Sequence, residues 1–78
     1  MAPEAVIARV FGVPRSGVSD ASSSATVSGW DSLNHVMLIL ELEKTFGVSF
    51  TAEEALSMTD VRTIKQVLES HGADWDGA

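Results

Sequence analysis

Ser32 stands directly after Asp31, at the start of the most regular helical pattern in the chain. Its hydroxyl is a latent nucleophile. The free N–H groups and the dipole of a helix N-terminus favour negative charge, so a phosphodiester formed on that oxygen would be well placed. The same position also suits an ordinary N-cap, a role open to Asp31 or Ser32. Ser22, Ser23 and Ser24 offer other hydroxyls, but no helix N-terminus stands behind them and they rank below Ser32. The chain has no cysteine, hence no disulfide or thiolate zinc site. Its two histidines, His35 and His71, lie far apart without ligand-like spacing. No triad and no paired acid and base is visible, so the chain reads as a non-catalytic protein without a metal.

The elements that must position Ser32 follow from periodicity. From Asp31 to Phe46, the residues His35, Leu38, Ile39, Leu42 and Phe46 share one side at helical spacing, and Gly47 supplies the stop. On the core side His35 reads as a hydrogen-bonded, half-buried residue, not a general base. The opposite side carries Leu33, Val36, Met37 and Leu40 beside Glu41, an apolar surface rimmed by charge that a small bundle does not need for its own core. Upstream, Val6, Ile7, Val10 and Phe11 mark a short helix over Pro3–Phe11, ended by Gly12 and Pro14. Val13 to Gly29 lacks periodicity and reads as a long surface loop pinned by Val13, Val18 and Val27, with Trp30 as an anchor. Thr51 and Glu54 form a capping box that opens a short helix ending near Ser57. Thr59 or Asp60 then caps a last helix with Val61, Ile64, Val67 and Leu68 as its stripe, closed by His71 and Gly72. The expected fold is all-α: a small four-helix bundle, three main helices and one short one. One domain over residues 1–78 is expected, with its core at about 3–71 and a fraying tail at 72–78 in which Trp75 has little to do.

Composition bounds the partners. A net charge of −6 repels nucleic-acid phosphates and suits basic or apolar protein surfaces. A charged leader followed by an apolar run is not visible, and no stretch approaches the ~20 apolar residues of a membrane span. A cytoplasmic monomer that avoids membranes is therefore expected.

Gly29-Trp30-Asp31-Ser32-Leu33, with the downstream helix ending Leu42-Glu43-Lys44-Thr45-Phe46-Gly47-Val48, resembles the Asp-Ser-Leu signature of acyl carrier proteins. Met58-Thr59-Asp60-Val61 stands where that family leads into its last helix, and the likeness covers roughly residues 4 to 70. The resemblance implies a carrier that is modified and loaded by other enzymes. Ser32 would receive covalent 4′-phosphopantetheine from coenzyme A in a magnesium-dependent reaction of a phosphopantetheinyl transferase. The transferase would supply metal and base, and the arm's thiol would hold acyl groups as thioesters. By the same resemblance Asp31 assists recognition at the modified serine, and Leu33 contacts partner enzymes that load and process acyl groups. Val36, Met37, Leu40 and Glu41 extend that candidate partner surface.

One departure from the family is informative. Familiar fatty-acid carriers have a strongly acidic recognition helix, whereas this one has Asn34, His35, Met37 and Lys44 at polar and exposed positions. That favours a discrete carrier of a specialised fatty-acid- or polyketide-like pathway. A peptidyl or aminoacyl carrier is the first alternative, but its usual Gly-Gly-x-Ser is replaced by Gly29-Trp30-Asp31-Ser32. The second alternative is an unmodified helical interaction module, which would need nothing special at position 32.

Overall fold

A computed structural model describes residues 2–75. The chain forms α1 (Pro3–Phe11), a 3-10 turn (Arg15–Gly17), α2 (Ser32–Phe46), α3 (Ala52–Ser57) and α4 (Val61–Ser70). Among the described residues there is no strand, only an isolated antiparallel bridge between Ser23 and Asp60. Among the described residues, no helix is long and apolar enough to cross a membrane.

Local chemistry sets the helix ends. α1 starts on Pro3, whose missing N–H costs nothing in a first turn. Gly12 and Gly47 close α1 and α2 in the left-handed conformation, at φ 67° and 66°, which side-chain-bearing residues adopt at a cost. Asp31 caps α2, its carboxylate accepting from the Asn34 N–H at 2.9 Å. The Thr51–Glu54 capping box is complete in both directions. Of the two candidates at the start of α4, Asp60 is the cap, accepting from the Thr63 N–H at 2.7 Å.

Three helices meet through their apolar stripes. Val6 and Ile7 of α1, Leu38, Ile39 and Leu42 of α2, and Val61, Ile64 and Leu68 of α4 are buried together with Met58. His35 and Phe46, at the two ends of the α2 stripe, are half-buried. α3 contributes no buried residue and lies on the bundle as a lid-like turn of helix.

The segment between α1 and α2 is a surface loop with firm attachments. Val18 and Trp30 are buried, and Val13 and Val27 pack on the core. The Ser24 N–H donates to the Thr59 carbonyl at 2.9 Å, and the Val61 N–H donates to the Ser22 carbonyl at 3.0 Å. The second of these serves a first-turn amide of α4 that has no partner within its own helix. Lys65 adds a polar tie, its Nζ lying 2.6 Å from both Glu4 and Asp20, so that α4, α1 and the loop share one cation. Ala73 and Trp75 also pack against the core instead of fraying beyond Gly72. The reason is aromatic: the Trp75 ring meets Phe46 edge-on at 6.0 Å, removing apolar surface that a polar tail would leave wet. The rest of the expected tail, 76–78, lies outside the described residues.

Candidate functional site

Ser32 is the first residue of α2 and is exposed. Capping falls to Asp31, and the Ser32 hydroxyl makes no hydrogen bond among the described residues. The backbone around it is held from both sides. The Asn34 side-chain amide donates to the Gly29 carbonyl at 2.8 Å, and the Trp30 ring, 6% exposed, stacks on Phe11 at 5.1 Å. An exposed hydroxyl therefore projects from a fixed base.

Ser32 borders a groove of about 590 Å³ between the start of α2, α3 and the loop. Trp30, Asp31 and His35 line one side of it, Leu56 and Thr59 the other, with Val36 and Ser24 completing the wall. His35 sits at the junction. It is half-buried and hydrogen-bonded, as its place on the α2 stripe predicts, facing Trp30 Nε1 through Nδ1 and the Ala55 carbonyl through Nε2.

The outer side of α2 is as apolar as its sequence suggests. Leu33 is 73% exposed, and Val36, Met37 and Leu40 are each more than half exposed, so none of the four tucks under the loop. Glu41 also stays partly exposed, with its carboxylate 3.2 Å from Arg9 of α1 in a surface ion pair. Glu43, on the same helix, accepts from the Phe50 N–H at 2.8 Å. Both carboxylates of α2 are thus engaged within the protein. Leu56 of α3, 77% exposed, extends the apolar surface across the groove. Sequence reasoning passed over it, although a leucine without apolar partners in a capped six-residue helix is a usable signal.

The other serines have structural duties. Ser22 is buried, its hydroxyl accepting from the Ser19 N–H at 2.9 Å, and the Ser23 hydroxyl accepts from the Ala25 N–H at 3.1 Å. Ser24 lines the groove, but its backbone is committed to Thr59. Among these hydroxyls only Ser32 stands at a helix N-terminus.

The structure thus presents one exposed serine at a helix start on a compact helical bundle. A family model described as a phosphopantetheine attachment site matches residues 4–69, from the first turn of α1 to the last turn of α4, and the chain belongs to this phosphopantetheine-binding carrier family. Its members hold 4′-phosphopantetheine covalently as a prosthetic group and are generally non-catalytic. They interact with phosphopantetheinyl transferases and acyl-processing enzymes. The residues around Ser32 fit such a group: an unengaged hydroxyl, helix-start amides to balance phosphate charge, and an open groove beside it.

Proposed function

We propose that this chain is an acyl carrier whose 4′-phosphopantetheine is attached through Ser32. One observation carries the reading: the Ser32 hydroxyl is exposed at the start of α2 and excluded from the cap, which Asp31 provides. In arm transfer the Ser32 oxygen forms a bond to the pantetheine-bearing phosphorus of coenzyme A. The bond from that phosphorus to the bridging oxygen breaks, adenosine 3′,5′-bisphosphate leaves, and the serine proton passes to a base of the transferase. The arm's thiol supplies the thioester chemistry that a cysteine-free chain lacks. Asp31 both holds the helix start and presents a carboxylate beside the modified oxygen. The sequence Gly29-Trp30-Asp31-Ser32 favours an acyl over a peptidyl carrier, and the sparse charge near Ser32 favours a specialised fatty-acid- or polyketide-like pathway.

Partner enzymes on this reading meet Leu33, Val36, Met37 and Leu40, with Leu56 at the edge; Glu41 contributes less, because Arg9 engages it. The test is intact-protein mass spectrometry after incubation with coenzyme A, magnesium and a broad-specificity phosphopantetheinyl transferase. The wild type is expected to gain one phosphopantetheine unit and Ser32→Ala none. Modification persisting in Ser32→Ala, or no modification of folded wild type, rejects the assignment.

A further inference from the structure

His35 lies one helical turn beyond Ser32, and its ring joins three segments of the chain. Nδ1 is 3.0 Å from Trp30 Nε1, and Nε2 is 2.7 Å from the Ala55 carbonyl oxygen. An indole N–H only donates and a carbonyl only accepts. The ring must therefore accept at Nδ1 and donate at Nε2, which the neutral Nε2–H tautomer alone achieves. An imidazolium would set an N–H at Nδ1 against the indole N–H.

Both contacts reach elements that need them. α3 has six residues, none fully buried; Ala55 is its one apolar contact with the core, and Phe50 and Met58 flank it. Its terminal carbonyls have few partners within so short a helix. The Ala55 carbonyl takes the Met58 N–H at 3.3 Å and, through His35, a donor from α2. α3 is also tied to the C-terminal end of α4, where Glu54 meets the capping residue His71 at 3.0 Å. On the other side Trp30 stacks on Phe11 and lies edge to edge with His35, nearly coplanar at 19°, so the ring continues a line of contacts from α1 to α3. Trp30, Ser32, His35 and Leu56 all border the same groove.

We propose that His35 is a positioning residue, a neutral imidazole latch that holds α3 and the Trp30 end of the loop against the start of α2 and so sets the walls of the groove beside Ser32. Its consequence for arm transfer rests on the reading of Ser32 above; the latch itself does not.

Two substitutions divide the latch. His35→Asn places an amide oxygen near the position of Nδ1, keeping an acceptor for Trp30 while falling short of Ala55. His35→Gln places an amide nitrogen near the position of Nε2, keeping the donor to Ala55 and leaving Trp30 without an acceptor. Nuclear magnetic resonance on the unmodified protein reads both halves. In the wild type, ring nitrogen shifts are expected to report a bare Nδ1 and a protonated Nε2. His35→Asn is expected to speed hydrogen exchange of the Ala55 and Met58 amides by about tenfold, the scale of one lost hydrogen bond, while sparing the Trp30 indole. His35→Gln is expected to give the reverse pattern. With coenzyme A, magnesium and the transferase, His35→Asn should raise KM for the carrier and leave kcat near wild type. A protonated Nδ1 in the wild type, or equal exchange in both variants, overturns the latch. Altered exchange with unchanged transfer kinetics overturns its role in shaping the groove. Wild type that shows the expected exchange but takes up no phosphopantetheine supports the latch and rejects Ser32 as the attachment residue.

Discussion

Leu40 and Leu42 stand two residues apart on α2, yet Leu40 is 58% exposed and Leu42 fully buried. The inner face of the helix, Leu38, Ile39 and Leu42, has its partners within the bundle, from α1 and α4. The outer face, Leu33, Val36, Met37 and Leu40, repeats the same chemistry but stays more than half exposed. The helix's carboxylates do not compensate, because Glu41 is taken by Arg9 and Glu43 by the Phe50 amide. Apolar residues thus serve stability on one face, and on the other leave apolar surface of the kind used for contact with another protein.

The largest effect expected separates Ser32 from both faces. Ser32→Ala should abolish phosphopantetheine uptake in mass spectrometry while urea unfolding moves by no more than about 0.5 kcal/mol, the usual scale for an exposed residue outside any cap. A large loss of stability would mean that Ser32 has a structural duty. Next comes the inner face. Leu42→Ala should cost about 2–5 kcal/mol in urea unfolding, since it removes buried methyl groups and leaves a cavity.

The outer face should respond in the opposite way. Met37→Glu or Leu40→Glu should leave unfolding nearly unchanged and weaken acyl loading by the true partner about tenfold, the scale of one lost apolar contact. Raising salt should alter wild-type loading little, because exposed carboxylates are scarce on this face. Unchanged loading kinetics in both variants would break the distinction between the faces.

The smallest effect concerns the polar tie behind the core. Burial opposes ionisation of Glu4, but the Lys65 hydrogen bond, the helix-start amide and nearby cations outweigh it and hold its carboxyl below the ordinary 4.5. Lys65 likewise holds Asp20 below 3.8. Asp20 and Glu4 in turn raise Lys65 above 10.5. The carboxylates' contribution is present above their unfolded values and is lost as pH falls through the lowered folded values. The contribution of Lys65 is lost as pH rises above its ordinary value through the raised one. Urea unfolding as a function of pH should therefore decline at both extremes, and Lys65→Met should flatten both declines. An unaltered acid limb would remove Lys65 as its cause. The effect should be modest, because partly exposed ion pairs contribute little.

How much of this was legible in the sequence depends on the range of the interaction. Pro3, Gly12, Gly47 and the Thr51–Glu54 box act within about one helical turn, so spacing located those helix ends, while at the starts of α2 and α4 it narrowed the cap to two neighbours and the structure chose Asp31 and Asp60. Periodicity likewise separated the buried Leu38 and Leu42 from the exposed Leu33 and Leu40, because both faces repeat at the helical period. The Asp31-Ser32-Leu33 motif was legible for the same local reason, and the family match over residues 4–69 supports the carrier class it implied.

Tertiary structure alone decided the pairings that no spacing rule encodes. Lys65 reaches Asp20 across 45 positions and His35 reaches Ala55 across 20. The serines at 22–24 read as a polar loop until their backbone was found bonded beside Thr59 and Val61, where α4 needed a partner for its first amide. Trp75 read as tail until Phe46 offered an aromatic surface. Helix boundaries are fixed by neighbours along the chain, whereas the ties around Ser32 arise only when packing brings distant donors, acceptors and rings within contact distance.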